Sequence, residues 1–144
     1  MRELRTEIEI DARPESVWEI LVDFAKYPEW NPFIKSISGE ASEGSRLKVR
    51  IEPDGGKAMT FEPKVVAVDL NKKFAWKGKV LMSGIFDGQH EFILERLADG
   101  KTRFVHREEF SGILVPIIWP MLEAKTKRGF TQMNEALKKR ARGN

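Results

Sequence analysis

The sequence predicts an α+β fold in which a curved antiparallel sheet of seven strands wraps around one long C-terminal helix. Most of the chain is a succession of segments in which apolar and polar residues alternate, as they do in half-buried strands. Helical periodicity is confined to two short stretches near the beginning and one long stretch at the end. Strands that follow one another without intervening helices indicate an antiparallel sheet. Because a single helix does not fill the concave side of such a sheet, we expect a cavity between the two.

The beginning of the chain predicts one strand followed by two short helices. Residues 4–10 alternate between apolar and polar side chains. Pro14 is typical of the first turn of a helix, and apolar residues recur every three or four positions from there to Phe24. Residues 26–33 contain two prolines, each of which restricts the residue before it, so they predict no more than a second short helix.

The middle of the chain predicts the remaining strands, and its end predicts the long helix. Turn-forming residues at 53–56 and 69–72 separate the first of these strands. Apolar residues then recur with helical spacing from Val115 to Arg142. After the two short helices we expect about six strands, and the segments whose positions the pattern gives are 46–52, 59–67, one that begins at Phe74, 86–97 and 101–111.

The last two predicted strands form a hairpin whose register follows from its loop. If residues 98–100 make a three-residue loop with a left-handed glycine, Leu97 pairs with Lys101. His90 then lies directly opposite Glu108, with the two Cβ atoms about 5 Å apart. A two-residue loop would move every pair by one position and would separate these two side chains.

Alternation along this hairpin places His90, His106 and Glu108 on a face that is otherwise apolar. A buried carboxylate without a partner is costly, so a histidine is the expected partner of Glu108. Three interpretations remain open. The cluster only fixes the register, or it binds a ligand's polar end and transfers protons, or its two histidines and one glutamate bind a metal. The opposite face is expected to be exposed, and its polar residues are Gln89, Glu91, Arg103, Arg107 and Glu109.

Composition excludes several classes of protein. The chain has 144 residues, which predicts a single domain over 1–144, and it contains no cysteine. Disulfides, iron–sulfur clusters and thiol nucleophiles are therefore excluded, and two histidines are too few for a three-histidine zinc site. The sequence has no glycine-rich phosphate loop, and we expect neither a cofactor nor a metal. The longest apolar run, 113–119, is too short to span a membrane, so we expect a cytoplasmic protein without integral membrane contact.

Large side chains around the histidine and glutamate cluster are the candidate wall of the predicted cavity. Residues 80–86 are unusually apolar for a connection between strands and include Gly84 as a hinge, so this segment is a candidate lid. The candidate ligand contacts are Trp30, Phe33, Phe61, Trp76, Leu81, Phe86, Phe92, Phe104, Phe110, Ile118, Leu122, Thr126, Phe130 and Met133.

Several segments together carry a family resemblance: 14–21, 23–24, 27–33, 86–92, 102–112, 129–130 and 133–134. They resemble the START-like superfamily of helix-grip proteins, also called SRPBCC, in its polyketide cyclase/dehydrase and lipid-transport branch. The resemblance spans nearly the whole chain and implies a sheet of about seven strands around the C-terminal helix, with a deep apolar cavity. Members of this superfamily include lipid carriers, hormone receptors, aromatases and cyclases, and quinone-binding chaperones. The resemblance therefore implies a hydrophobic ligand without specifying a reaction.

Two classes of function follow from these observations. The first is a binding protein for a small hydrophobic ligand such as a lipid, polyketide, isoprenoid or quinone, and we favour it because nucleophile, metal and cofactor motifs are missing. The second is a cyclase- or dehydratase-type enzyme in which His90 or His106 is the general base and Glu108 orients it. In either case we expect a monomer or a homodimer.

The basic C-terminal segment supports a weaker alternative. Residues 115–144 contain seven lysines and arginines against two glutamates, in a chain whose net charge is +3. An adaptor could bind an anionic membrane or RNA through Lys138, Lys139 and Arg140. Such a segment is more often the solvated face of a helix, and without aromatic stacking residues beside it we expect no nucleic-acid partner.

Overall fold

Eight strands form two antiparallel sheets around one long helix in the computed structural model, which describes residues 1–53, 57–80 and 84–142. Two short helices follow the first strand and are linked by a single turn at Phe24–Lys26. In chain order the elements are β1 (Arg2–Ile10), α1 (Pro14–Val22), α2 (Tyr27–Trp30), β2 (Ile34–Ser38), β3 (Lys48–Ile51), β4 (Met59–Phe61), β5 (Lys64–Asp69), β6 (Lys73–Val80), β7 (Phe86–Arg96), β8 (Thr102–Ser111) and α3 (Val115–Arg142).

The α+β class, the antiparallel pairing and the long C-terminal helix are confirmed, but the strand count differs from the prediction. Five strands form one sheet in the order β1-β8-β7-β6-β5, and three form a second sheet in the order β2-β3-β4. The described residues thus contain eight strands in two sheets, where the sequence predicted seven in one sheet.

The sequence pattern did not predict β2 because its buried residues do not alternate. Ile34 and Ile37 are both buried although they are three positions apart. The register against β3 shifts between Ile34 and Ser36, which adds one residue to β2 and turns both isoleucines inward. An irregularity of this kind is invisible to a search for period-two alternation.

The predicted strand 59–67 is divided between the two sheets at Pro63. A proline has no N–H group to donate to a strand ladder, so β4 ends before it and β5 begins after it. The Pro63 carbonyl accepts a hydrogen bond from the backbone N–H of Leu47 at 2.8 Å, which links this proline to the residue just before β3. Part of the predicted turn at 53–56 lies outside the described residues.

The predicted register of the β7–β8 hairpin is confirmed. The Leu97 N–H donates to the Lys101 carbonyl at 2.8 Å, and Gly100 is left-handed with φ of 75°. His90 consequently pairs with Glu108. The outer face of the hairpin is less exposed than predicted.

The most buried of the polar residues on that outer face is Glu91, which is 3% exposed. Its carboxylate accepts hydrogen bonds from Gln89 and Arg107 and lies 3.5 Å from the Lys73 ammonium. The three neighbours cover the carboxylate and replace the water that the prediction assumed.

The helix α3 lies along β1 and covers the concave side of the larger sheet. Gly129 brings the helix close to the core, since a Cβ atom at this position would overlap the buried ring of Phe33. Within the described ranges, no helix is both long and apolar enough to cross a bilayer. The buried residues in the central part of α3 are Thr126, Gly129, Phe130, Met133, Asn134 and Leu137.

Candidate functional site

A cavity of about 320 Å³ lies between α3, the inner face of the larger sheet and the three-stranded sheet. Its lining is mainly apolar, as in most sites for small organic ligands. Among the described lining residues, the polar or charged side chains are Lys79, His90, Glu108 and Thr126.

Eight of the candidate ligand contacts line this cavity. They come from the segment before β2, from four strands and from α3, so the long-range fold brings together residues that are far apart in the chain. They are Phe33, Phe61, Trp76, Phe86, Phe110, Ile118, Leu122 and Thr126.

Other candidate contacts are placed elsewhere. Trp30, on α2, contacts the ring of Tyr27 with the two centroids 5.2 Å apart and does not line the cavity. Leu81 and part of the candidate lid lie outside the described residues. Four more candidates are buried in the core instead of lining the cavity: Phe92, Phe104, Phe130 and Met133.

The sequence analysis missed much of the wall that the three-stranded sheet supplies. Strand β3 carries two of these residues, Val49 and Ile51. Their alternation with polar residues predicted an apolar face of the strand, but it did not show that this face lines the cavity. The lining residues that were not predicted as ligand contacts are Val49, Ile51, Pro53, Met59, Pro63, Gly78, Lys79, Ile85, Gly88 and Leu114.

A chain of hydrogen bonds begins at the cavity wall and ends behind it. Glu108 Oε1 lies 3.2 Å from His90 Nδ1, and His90 Nε2 lies 2.7 Å from His106 Nε2. His106 Nδ1 then lies 2.9 Å from Asn134 Oδ1, and Asn134 Nδ2 donates to Thr6 Oγ1 at 2.8 Å. Glu108 and His90 line the cavity, whereas His106 belongs to the buried part of the chain.

The far end of this chain sets the direction of its hydrogen bonds. The Thr6 hydroxyl donates to the His106 carbonyl at 3.2 Å and accepts from Asn134 Nδ2. This orientation of the Asn134 amide satisfies every contact and leaves its Oδ1 as an acceptor, so His106 donates from Nδ1. In a neutral ring His106 Nε2 is then an acceptor, and His90 donates to it from Nε2.

His106 is held in this neutral form. Burial, reinforced by the nearness of His90, places the pKa of His106 well below its usual value of 6.5, although the hydrogen bond to Asn134 opposes this shift. The ring of Phe130 stacks on His106 with the centroids 3.8 Å apart. Burial keeps water away from His106, and the stacked ring of Phe130 fixes the plane of its imidazole.

The direction of the chain determines what lies at its cavity end. Because His90 Nε2 donates to His106, His90 Nδ1 and Glu108 Oε1 make a hydrogen bond only if one proton lies between them. The pair is therefore either an imidazolium with a carboxylate or a neutral imidazole with a carboxylic acid. The indole of Trp76 stacks on His90 at a centroid distance of 4.9 Å and keeps the imidazole in line.

One observation on this cluster and one on α3 concern the metal-binding and adaptor interpretations of the sequence. The described residues include no group of three or more histidines and carboxylates arranged to hold a metal ion, and His90 bonds directly to His106. On the basic segment of α3, Arg140 Nη2 binds Glu29 Oε1 of α2 at 2.9 Å. That contact gives this cation an internal role.

Asn134 and Thr6 were not predicted as members of the site. Each is a polar residue on an otherwise apolar face. Thr6 lies between Leu4 and Ile8 on one face of β1, and Asn134 follows Phe130 by four positions on α3. This interruption was the available signal. It could not show that the two residues meet, since 128 positions separate them.

Comparisons with known proteins agree with this fold. The family model described as polyketide cyclase / dehydrase and lipid transport matches residues 1–142. An aromatase/cyclase named Zhui from a Streptomyces species is 18% identical with a TM-score of 0.78, over 98% of this chain and 93% of that one. A START superfamily protein from Mycobacterium smegmatis is 22% identical with a TM-score of 0.77, over 98% and 97%.

A hypothetical protein from Helicobacter pylori is 16% identical, with a TM-score of 0.80 over 97% of this chain and 88% of that one. At these identities the similarities to solved structures establish the fold alone. The comparison with curated proteins found no match.

Proposed function

Because the chain belongs to the polyketide cyclase/dehydrase and lipid transport family, we propose that it binds one small, largely apolar molecule in its cavity. The observation that carries this proposal is a cavity of about 320 Å³ with an apolar wall and a hydrogen-bonded polar pair, Glu108 and His90, on one side. Burial of the apolar body of a ligand drives binding, and the polar pair orients it.

The size of the cavity limits the ligand. Sites for small molecules typically measure about 300–1,000 Å³, so this cavity is near the lower end of that range. It suits a molecule of two or three fused rings, or part of a longer polyketide, isoprenoid or lipid chain.

Native mass spectrometry of the gently purified protein, followed by organic extraction, tests the proposal directly. We expect a stoichiometric apolar adduct, or an apo protein that takes up an apolar probe at micromolar concentration. A protein that carries no adduct and binds no apolar probe below about millimolar concentration would contradict the proposal.

Two neighbouring isoleucines of α3 provide a matched pair of variants. Ile118 lines the cavity, whereas the side chain of Ile117 is 71% exposed. We expect Ile118→Trp to fill the cavity and weaken binding at least about tenfold, while Ile117→Trp leaves the affinity unchanged. Equal affinities in the two variants would place the ligand somewhere else.

A second candidate function is proton-transfer catalysis, such as dehydration of a bound β-hydroxy ketone. The observation that favours it is the 3.2 Å contact between Glu108 Oε1 and His90 Nδ1 at the cavity wall, a pair of groups that can exchange a proton. In such a reaction the α C–H bond and the C–O bond break, a C=C bond forms, and the released proton and hydroxide leave as water. The pair could remove the α proton and return it to the leaving oxygen.

A β-hydroxy ketone whose enone product absorbs light tests this second candidate. We expect turnover that is lost in both Glu108→Gln and His90→Phe, although both variants still bind the ketone. If the unmodified protein forms the enone no faster than buffer does, catalysis of this reaction is excluded and the binding proposal is unaffected.

A further inference from the structure

We propose that the cavity selects a ligand whose polar end is a neutral hydroxyl group, such as a phenol, enol or alcohol. This inference rests on the proposed binding function and specifies the chemistry of the ligand. It follows from an atom at the cavity end of the hydrogen-bonded chain, Glu108 Oε2, which has no hydrogen-bond partner among the residues that the structure describes.

Glu108 Oε2 has space, and no described residue is hydrogen-bonded to it. Gly88 lies beside Glu108 on the neighbouring strand, and a Cβ atom at position 88 would overlap with Oε2, so the missing side chain makes room for this oxygen. Within the described ranges, only Oε1 of the carboxyl group is hydrogen-bonded to another residue. The side chain of Glu108 keeps 17% of its surface accessible, at the cavity.

Glu108 Oε2 acts as an acceptor for either position of the shared proton. If His90 holds the proton, Glu108 is a carboxylate and both of its oxygens accept. If Glu108 holds it, the proton lies on Oε1 toward His90 Nδ1, and Oε2 is a carbonyl oxygen. The same result follows if the Asn134 amide is reversed, because His90 then donates from Nδ1 to a carboxylate.

An acceptor at the cavity wall requires a donor on the ligand. A hydroxyl group supplies one proton and brings no charge into an apolar space. A ketone, quinone, ester or ether offers only acceptors, so the ligand oxygen and Oε2 would both lose hydrogen bonds to water without replacement.

Charged polar ends are disfavoured for a different reason. A carboxylate would face Glu108, and the cation of the described lining, Lys79, is exposed to solvent, where it is poorly placed to neutralise a buried anion. An ammonium group could donate to Oε2, but a pair that shares one proton is neutral overall and leaves the added charge unbalanced.

Four compounds with one apolar body test this selection: 2-naphthol, 2-methoxynaphthalene, 2-naphthoate and 2-naphthylmethylamine. Their affinities are measured by isothermal titration calorimetry at pH 7. We expect 2-naphthol to bind about tenfold more tightly than each of the other three, which corresponds to about 1.4 kcal/mol for one buried hydrogen bond.

Variants of Glu108 assign the selection to this side chain. Glu108→Leu removes the acceptor, so 2-naphthol and 2-methoxynaphthalene should bind equally. Glu108→Gln should keep a preference for 2-naphthol, because its amide N–H donates to His90 and its oxygen replaces Oε2. Glu109→Leu is the matched control, since Glu109 lies on the outer face and contacts Arg107.

The outcomes separate this inference from the binding proposal. If the four compounds bind with similar affinities to the unmodified protein, or if the acid or amine binds most tightly, the selection for a hydroxyl group is wrong while binding in the cavity stands. If none of the four binds and no adduct is found by mass spectrometry, the binding proposal itself fails.

Discussion

The two faces of the β7–β8 hairpin carry polar clusters of opposite character. On the inner face, Glu108 and His90 begin a hydrogen-bonded chain that continues into the core and is completed by α3. On the outer face, Arg107 binds Glu91, Glu3 and, at 3.2 Å, Glu109. The two clusters come from successive residue pairs of the same two strands, His90 with Glu108 and Glu91 with Arg107, whose side chains point to opposite faces of the sheet.

The difference lies in how each cluster is satisfied. The outer cluster pairs full charges, and its partners come from β1, β6, β7 and β8, so the sheet alone builds it. The inner cluster shares one proton between Glu108 and His90 and leaves an acceptor open toward the cavity. A closed set of ion pairs indicates a structural role, whereas a partly open neutral chain at a cavity is typical of a binding site.

The largest effect on stability is expected from the outer cluster. Arg107→Met leaves the Glu91 carboxylate buried without its main partner and should lower the free energy of unfolding by about 3 kcal/mol. Denaturation by urea measures this change. The double variant Glu91→Leu/Arg107→Met leaves no charge buried and should recover most of the loss, while ligand affinity stays unchanged in both. A loss below about 1 kcal/mol in the single variant would show that this cluster is not structural.

A smaller loss of stability is expected from the inner cluster. Asn134→Leu keeps the volume of the side chain but leaves the buried His106 N–H without an acceptor, which should cost about 2 kcal/mol. The preference for 2-naphthol should remain, because Glu108 Oε2 is an acceptor for either direction of the hydrogen-bonded chain. Gln132→Leu, an exposed change on the same helix, should alter stability by less than about 0.5 kcal/mol. Unchanged unfolding in Asn134→Leu would contradict the hydrogen-bonded chain.

The two clusters should lose their contributions to stability in different pH ranges. The pKa of His106 is depressed in the folded protein, so below about pH 6.5 the unfolded chain binds a proton that the folded chain does not, and stability falls. At Glu91, burial alone would raise the pKa, but the hydrogen bonds and charges of its partners lower it below its usual 4.5. Its contribution is therefore present above pH 4.5 and is lost as the pH falls through the depressed value.

Urea denaturation from pH 7.5 to pH 4 measures these contributions. When unfolding takes up one proton, the free energy of unfolding falls by about 1.4 kcal/mol for each pH unit of acidification. His106→Gln should remove this dependence between pH 6.5 and 5. Glu91→Gln should not change the slope of stability against pH between pH 6.5 and 5, and should reduce it only below about pH 4.5. If His106→Gln and the unmodified protein had the same slope near pH 6, His106 would not be held neutral by the fold.

The smallest effect on stability is expected at Gly88. Gly88→Ala places a methyl group where Glu108 Oε2 lies, and the flexible carboxyl end can move aside, so unfolding should change by less than about 1 kcal/mol. The preference for 2-naphthol should nevertheless fall. Gly78→Ala is the matched control on the paired strand, because its methyl group would meet only Pro63, at 3.4 Å. A preference that survives Gly88→Ala and disappears in Gly78→Ala would place the ligand contact away from Glu108.

Much of this comparison could be predicted from local patterns. The loop at 98–100 determined the hairpin register, and the register together with alternation placed His90 opposite Glu108 on an apolar face. The prediction that the outer face is exposed was wrong for Glu91, because alternation shows which way a side chain points without showing which cations cover it.

The sequence by itself determined the class of fold, the long C-terminal helix and the pairing within the hairpin, because each depends on residues near one another in the chain. Only the tertiary structure decided that the strands divide into two sheets at Pro63, that a bulge turns both isoleucines of β2 inward, and that β3 and β4 close the cavity. It also brought Asn134 and Thr6 together behind His106. The direction of the hydrogen bonds behind His90 depends on contacts between distant elements that no local pattern encodes.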